Sequence, residues 1–122
     1  RPEEVIRRDS AGERVSAVAV AGGRVVGYAA LDPFPTVPVA EFVGAMVAAP
    51  HQGRGVLDRV REVLAAEAVR RELVGLTADV GTANGTAQAI ANRSAGRPTA
   101  VLLGLWPGDE SRLDFVSYFR YL

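Results

Sequence analysis

The hydrophobic positions of the chain follow two periods, and together they predict alternating strands and helices. Two β-rich runs stand on either side of Ala21-Gly22-Gly23, which indicates a β-hairpin. Residues 2–9 have a proline in the first turn and arginines in the last, as is typical of the end of a helix. Residues 32–38 hold three prolines and are predicted to form a loop.

The centre of the chain predicts a strand, a glycine-rich turn and a long amphipathic helix. The strand covers 39–48 and the helix covers 53–71. Apolar residues recur in the helix at the spacing of one face, and charged residues are predicted to take the outer face. The apolar stripe consists of Val56, Val60, Val63 and Leu64, and the outer face of Arg59, Arg61, Glu62, Glu67 and Arg70.

The second half of the chain predicts two more buried strands, a short helix and a last strand. The buried strands cover 72–80 and 99–106, and helix 84–94 lies between them with Gly96 as its C-terminal cap. A turn at 107–109 leads to a final strand with an alternating pattern. The whole order is (α)-β-β-β-α-β-α-β-β, which predicts an α/β fold with a mixed β-sheet flanked by helices.

The composition excludes several classes of function. The 122 residues suffice for one domain, and the 14 acidic and 14 basic residues give a net charge of zero without forming blocks. A nucleic-acid surface would normally show a basic excess, so we predict no nucleic-acid partner. The sequence has no cysteine for disulfides or thiolate catalysis, and its one histidine cannot build a zinc cluster. The apolar runs are too short to cross a bilayer and no signal peptide is visible, so we predict a cytoplasmic protein without a membrane partner.

The turn at Gly53-Arg54-Gly55 is the strongest chemical signal. Glycines let an anion approach the backbone, and the start of a helix supplies unpaired N–H groups and the positive end of the helix dipole. This pattern indicates a phosphate site, which three kinds of protein could supply. A Walker P-loop needs a lysine, and the sequence has none. A dinucleotide fingerprint needs a third glycine where Asp58 stands, and it would not follow an antiparallel hairpin.

The stretch "QGRGV" at 52–56 resembles the Q/R-x-x-G-x-G/A signature of the third kind, the GNAT superfamily of GCN5-related N-acetyltransferases. "RVVGYAAL" is similar to the third strand of that family, and "TANGTAQAIANRSAG" is similar to its second cofactor motif. The resemblance covers essentially the whole chain, from the end of the family's second helix to its last strand. It implies that 1–122 form a single GNAT-like acyl-CoA-binding domain without the family's first strand and first helix, as a fragment of a longer chain would.

The resemblance also implies where acetyl-CoA binds as co-substrate, with no metal. The pantetheine arm would lie between strands 39–48 and 73–80, which splay apart in the family, and the pyrophosphate would lie on the glycine turn. The sequence departs from the family pattern in two places. Leu57 replaces the final Gly/Ala of the signature, and Ala91-Asn92 replace a tyrosine that commonly serves as general acid. The implied cofactor-binding residues are Met46, Val47, Gln52, Gly53, Arg54, Gly55, Val56 and Asn84.

Glu41 is the candidate general base. It lies inside an apolar strand, where burial would raise the pKa of a carboxyl group. In the histone-acetylating branch of the superfamily, a base glutamate stands at the same offset from the signature. The alternative is a glutamate that faces water or pairs with Arg14 or Arg24. Tyr118 and Tyr121 are candidates to replace the missing acid, and we take Tyr118.

Three further residues have plainer interpretations. His51 is expected to be an exposed loop histidine beside the cofactor. Tyr28 is expected to be a core residue whose hydroxyl bonds to the backbone. Asp79 is expected to cap the segment that follows it.

The sequence therefore predicts an N-acyltransferase that moves acetyl from acetyl-CoA to an amine by direct attack within a ternary complex. It does not identify the amine acceptor. The alternative is a non-catalytic GNAT-like module that binds acyl-CoA or another domain of a larger protein. This alternative rests on the absent tyrosine and on the sheet edge that a missing N-terminal strand would expose. Such an edge invites pairing with a second copy or a neighbouring domain.

Overall fold

A computed structural model describes residues 2–107 and 112–122 of the chain. The helices are α1 (Pro2–Ser10), α2 (Val56–Arg70) and α3 (Gly85–Arg93), with a single-turn 3-10 helix at Ala49–His51 before α2. The strands are β1 (Val15–Ala21), β2 (Arg24–Pro33), β3 (Val39–Val47), β4 (Gly75–Gly81), β5 (Arg97–Pro107) and β6 (Arg112–Tyr121). The predicted order of elements is confirmed. None of the helices in the described ranges is long and apolar enough to span a bilayer.

The strands pair in the order β1-β2-β3-β4-β6-β5, so the sheet is mixed as predicted. β3 and β4 are parallel, and the other neighbouring strands are antiparallel. The β1–β2 hairpin turns at Gly22 and Gly23, whose φ angles of 56° and 74° are the left-handed pair that a two-residue turn requires. The α/β prediction, with helices flanking a mixed sheet, is confirmed.

The pairing of β3 and β4 ends early, and this positions the site. Only Val39–Glu41 pair with Gly75–Thr77, although β3 continues to Val47 and β4 to Gly81. Beyond Glu41 and Thr77 the two strands separate. The predicted splay between the parallel strands is therefore present.

α2 packs on the sheet through four buried residues and covers β1, β2 and β3. Leu64 is 1 % exposed and Ala68 is fully buried, beside Val60 and Ala65. These side chains meet Ala29, Leu31 and Ala40 of the sheet. The predicted stripe was wrong at Val63, which is 62 % exposed, because the buried face continues through alanines that the pattern left out.

Several predicted boundaries were wrong. β2 continues through Asp32 and Pro33, which pair with β3, so only 34–38 connect the two strands. α2 begins at Val56 rather than Gly53, because Gly53 to Gly55 form the loop. β4 begins at Gly75, since the residues before it close the end of α2, where Glu72 takes a left-handed φ of 60°.

β5 was predicted to be a buried strand, and this was wrong for its described side chains. Val101 is 62 % exposed and Leu103 is 78 % exposed. β5 is an edge strand that pairs with β6 alone, and Val101 and Leu103 project from the same face of it. Gly108 and Asp109 of the predicted turn lie outside the described residues.

The end of α3 uses its glycine differently from the prediction. The left-handed residue is Ala95, with a φ of 60°. Gly96 instead donates its N–H to the Ala91 carbonyl at 3.1 Å, and a Cβ at Gly96 would lie 2.7 Å from that oxygen. Gly96 is needed for close approach rather than for its φ angle.

Candidate active site

The loop before α2 leaves an open space above its backbone. Gly53 and Gly55 have φ angles of 71° and 73°, in the region that favours glycine. A Cβ at either position would meet no atom within 4 Å. The backbone conformation accounts for both glycines, and the space above them leaves room for a ligand.

The start of α2 presents backbone donors to that space. Gly55 is the N-cap residue, and no side chain caps the helix. The first helical hydrogen bond joins the Arg59 N–H to the Gly55 carbonyl at 3.1 Å, so the N–H groups of 56–58 have no partner within the helix. Arg54 is exposed and makes no hydrogen bond or ion pair with the described residues. Unpaired N–H groups beside a cation suit an anion such as pyrophosphate.

Two contacts hold this loop to the sheet. The Gln52 side-chain amide donates to the Val47 carbonyl at 3.1 Å, which engages the backbone of a residue that the family resemblance implies for cofactor binding. Gly27 on β2 lets α2 approach the sheet, because a Cβ there would lie 2.7 Å from Val56 Cγ1. The sequence analysis missed this role of Gly27. A glycine inside an apolar strand was the available signal.

A cavity of about 630 Å³ opens where β3 and β4 stop pairing. Its walls are residues 41–45 of β3, residues 76–81 of β4, the inner side of α3, and part of β6. Three predicted site residues that are far apart in sequence line it together: Glu41, Asn84 and Tyr118.

One side of the cavity is acidic. Ala40 packs into the core beneath α2, so the alternation of the strand turns Glu41 to the opposite face of the sheet. Glu41 pairs across the ladders with Asp32 of β2 and with Thr77 of β4. Asp79 follows two residues after Thr77 on the same face. Carboxylates therefore gather on the face of the sheet that lies away from α2.

Burial raises the pKa of the Glu41 carboxyl group, and the negative charges of Asp79 and Asp32 raise it further. Asp32 is already paired with Arg8 of α1, so its charge is partly compensated. The carboxylate of Glu41 makes no hydrogen bond or ion pair with the described residues. The alternative of an ion pair with Arg14 or Arg24 was therefore wrong.

The other side of the cavity carries a phenol and lies towards the helices. Tyr118 pairs with Ala78 across β4 and β6, and it is 6 % exposed. Arg120, two residues further along the same face, bonds to Glu62 of α2, which places this face beneath the helices. Tyr121 is 80 % exposed and contacts Phe119 edge-to-face, with its ring centroid 4.8 Å away, so only Tyr118 of the two candidates reaches the cavity.

The model of the acetyltransferase (GNAT) family matches residues 1–96. The chain belongs to the GNAT acetyltransferase family. As a member of this family it is an N-acetyltransferase, as the sequence analysis predicted. A comparison with curated proteins found no match.

Solved structures share the GNAT fold over the whole chain. The ribosomal-protein-alanine N-acetyltransferase of Brucella melitensis is 24 % identical, with a TM-score of 0.89 over 100 % of this chain and 76 % of that one. The ribosomal-protein-S18-alanine N-acetyltransferase of Escherichia coli is 16 % identical, with a TM-score of 0.83 over 98 % of this chain and 76 % of that one. An N-acetyltransferase of Staphylococcus aureus is 18 % identical, with a TM-score of 0.88 over 98 % of this chain and 74 % of that one.

Asn84, which the family resemblance places in the second cofactor motif, has a structural role in this chain. Asn84 is the N-cap of α3, and its side-chain oxygen accepts a hydrogen bond from the Ala87 N–H at 3.0 Å. It still lines the cavity, as does Ala91, whereas Asn92 is exposed. The short side chain of Ala91 leaves the cavity open at the position where the family pattern places a tyrosine.

Arg61 is a lining residue that the sequence analysis placed on the outer face of α2, which was wrong. One of its guanidinium nitrogens lies 3.3 Å from Asp58 and 3.3 Å from the Ile90 carbonyl of α3. Arg93 of α3 lies 3.6 Å from the same aspartate. Burial lowers the pKa of Arg61. Its partner Ile90 lies on another helix, so the sequence carried no local signal for this position.

Of the other residues singled out in the sequence, Asp79 lines the cavity, whereas Met46 and His51 do not. Met46 is 64 % exposed, on the face of the sheet away from α2. Asp79 lies inside β4, so the expectation that it caps the next segment was wrong, and the cap is Asn84. His51 ends the 3-10 helix and is partly buried rather than exposed.

Proposed function

We propose that this GNAT protein transfers acetyl from acetyl-CoA to a primary amine in the cytoplasm. The observation that carries the proposal is the cavity between β3 and β4, which is lined by an acidic and a phenolic group and by Leu57, two residues after the open glycine loop. Residues 1–122 would act as one acyl-CoA-binding domain. The steps of the proposed reaction use these groups.

Acetyl-CoA binds with its pyrophosphate on the start of α2. Gly53, Gly55 and Val56 offer backbone N–H groups there, and Arg54 offers a side-chain cation. The pantetheine arm lies between β3 and β4, where the backbone beyond Glu41 and Thr77 is released from β3–β4 pairing. Backbone N–H and C=O groups of both strands then form hydrogen bonds with the pantetheine arm, as they would with a third strand.

The amine attacks the thioester directly. Glu41 takes one proton from the ammonium group, the neutral nitrogen then forms a bond to the carbonyl carbon, and backbone N–H groups of β3 stabilise the negative oxygen. The carbon–sulfur bond then breaks, the leaving thiolate takes the phenolic proton of Tyr118, and the nitrogen gives its extra proton to solvent. The products are the acetylated amine and CoA, and proton exchange with solvent restores both side chains.

The acceptor that the proposal favours is a peptide α-amine. The unpartnered carboxylates of Glu41 and Asp79 suit an amine that arrives protonated and must lose its charge before it attacks. The Brucella and Escherichia neighbours are named for acetylating alanine of ribosomal proteins. A short peptide with an N-terminal alanine is therefore the first acceptor to test.

Calorimetric titration with acetyl-CoA tests the cofactor site. The wild-type chain is expected to bind in the micromolar range, and Gly55→Glu is expected to bind at least about tenfold more weakly, because it adds a carboxylate and a side chain at positive φ. Gly22→Glu is the matched control, since Gly22 also has positive φ and open surroundings but lies in the β1–β2 turn. A folded wild-type chain that binds no acetyl-CoA would refute the proposal.

The second candidate function is a module that binds acetyl-CoA without transferring the acetyl group. It is favoured by Ala91, which supplies no acid from α3. In that case acetyl-CoA would bind, but no peptide amine would be acetylated. Mass spectrometry of the peptide after incubation separates the two functions.

A further inference from the structure

Tyr28 occupies the centre of β2, and its hydroxyl group belongs to a chain of side-chain hydrogen bonds. Arg14 donates to the Tyr28 oxygen at 3.1 Å, and Ser16 of β1 lies 3.1 Å from the same oxygen. Ser16 in turn donates to Asp9 of α1 at 2.7 Å. The expectation that this hydroxyl bonds to the backbone was wrong. The phenol is instead fixed by α1, β1 and the segment between them.

The ring of Tyr28 lies against an irregular part of β3. Tyr28 pairs with Met46 and Ala30 with Val43, so Gly44 and Ala45 together stand opposite a single β2 residue. This is a β-bulge. Gly44 has a φ of 66°, and a Cβ there would lie 3.1 Å from Cε1 of Tyr28. The bulge therefore lies beside the ring, and a side chain at Gly44 would be strained by its φ angle and would crowd Tyr28.

The bulge also lies at the cavity. Gly44 and Ala45 line it, three and four residues after Glu41, where β3 has already left β4. Their backbone has lost regular pairing on the β2 side and has no β4 partner on the other side. Glycine is also the residue with the most backbone freedom. Something other than the ladders must fix this segment if its N–H groups are to meet a carbonyl oxygen in one geometry.

We propose that Tyr28 is a positioning residue, which holds the Gly44–Ala45 bulge in the geometry that binds the thioester carbonyl of acyl-CoA. The inference rests on the proposed function, because it needs acyl-CoA in the β3–β4 cavity. Tyr28 does not touch the substrate in this arrangement. It acts through the bulge, and Ser16 and Arg14 act through Tyr28.

The test compares acetyl-CoA with CoA, since the two differ only in the acetyl group. Tyr28→Phe keeps the ring beside Gly44 and removes the hydrogen-bonded oxygen. The ratio of the Kd for CoA to the Kd for acetyl-CoA is expected to fall by about three- to tenfold, with the Kd for CoA unchanged. Tyr121→Phe is the matched control, because Tyr121 is 80 % exposed and does not line the cavity.

Infrared spectroscopy of acetyl-CoA labelled at its thioester carbonyl gives a second readout. Bound to the wild-type chain, the carbonyl band is expected at lower frequency than in water, because the bulge polarises it. In Tyr28→Phe and Gly44→Ala the band is expected to move back towards its position in water. A purely structural role of Tyr28 would weaken CoA and acetyl-CoA alike and leave the band of the bound fraction in place.

Two outcomes would overturn the inference. Wild-type values of both the Kd ratio and the band in folded Tyr28→Phe and Gly44→Ala would show that the bulge needs no support from Tyr28. A wild-type chain that binds no acetyl-CoA would refute the proposed function and this inference with it. The first result is seen only in the variants and the second in the wild-type chain, so they are distinguishable.

Discussion

α2 and α3 flank the same cavity but are held in different ways. α2 buries Val60, Leu64, Ala65 and Ala68 against the sheet. α3 has no buried residue, and polar contacts connect it to its surroundings, through Gln88 to carbonyls before the helix and through Arg61 of α2 to Ile90. The helix that follows the glycine loop is therefore held by a packed core, whereas α3 is connected through hydrogen bonds. In the proposed function, these helices flank the pyrophosphate end and the thioester end of acetyl-CoA. Cofactor binding and chemistry should accordingly respond to different substitutions.

The largest expected effect is on the rate of acetyl transfer, where a substitution of Glu41 should separate chemistry from cofactor binding. Glu41→Gln should lower kcat for acetylation of the peptide amine by about a hundredfold or more, since a positioned base contributes that much. The Kd for acetyl-CoA should stay within about twofold, because the pyrophosphate site on α2 is untouched. Steady-state kinetics and calorimetry on the same preparation measure both. Wild-type kcat in Glu41→Gln would exclude Glu41 as the base.

The pH profile sharpens the same test. A general base works as the carboxylate, and burial with nearby negative charge raises the pKa of Glu41. The acid limb of kcat/KM is therefore expected above the usual pKa of glutamate, with activity lost as the pH falls through it. Asp79→Asn removes one of the neighbouring charges and should move that limb to lower pH. A limb that stays in place would show that Asp79 does not act on Glu41.

The packing of α2 predicts the largest loss of stability. Leu64→Ala should lower the free energy of unfolding by about 3 kcal/mol, because it opens a cavity at a side chain that is 1 % exposed. Val63→Ala on the same helix is the control and should change it by less than about 0.5 kcal/mol, since Val63 is 62 % exposed. Urea unfolding measures both. Equal losses would contradict the packing described for α2.

The capping of α3 predicts a smaller and local effect. Asn84→Ala removes the hydrogen bond to the Ala87 N–H and should destabilise α3 by about 1 kcal/mol. Hydrogen exchange should speed up in α3 and stay unchanged in α2, because the two helices are not held by the same core. Thr86→Ala, at an exposed position of α3, provides the control. Faster exchange in both helices would mean that they unfold as one unit.

The smallest expected effect is a gain in affinity. Asp58 lies in the first turn of α2, where its carboxylate opposes an anion at the helix start although Arg61 and Arg93 compensate it. Asp58→Asn should strengthen acetyl-CoA binding by about two- to fivefold at low salt. Glu62→Gln, one turn further along, should have no measurable effect. Weaker binding by Asp58→Asn would instead make its ion pairs part of the cofactor site.

Local signals in the sequence predicted much of the fold and the phosphate loop. The Gly22-Gly23 turn, the proline-rich connection and the glycines at 53 and 55 each act through their own backbone conformation, so neighbouring residues suffice to recognise them. The burial of β5 was predicted wrongly, because hydrophobicity alone does not show whether another element covers a face of the strand. That depends on the arrangement of the whole fold.

The contacts across the sheet could not be predicted in this way. The approach of Val56 to Gly27, the turn of Arg61 into the cavity, and the chain from Asp9 to Tyr28 all depend on register between distant segments. The convergence of Glu41 and Tyr118 on one cavity has the same origin, and only the family resemblance suggested it. The register between strands is set by the packing of the whole sheet, so it cannot be read from the sequence of one segment.

The cavity that crosses the sheet also has a consequence for the order of events. Glu41 and Tyr118 line the cavity from opposite faces of the sheet, so in the proposed function an amine and acetyl-CoA approach without occupying each other's path. Neither product needs to leave before the second substrate arrives, and no acetylated enzyme has to accumulate. Initial rates measured at several fixed amine concentrations should therefore give intersecting double-reciprocal lines, whereas parallel lines would indicate a ping-pong cycle.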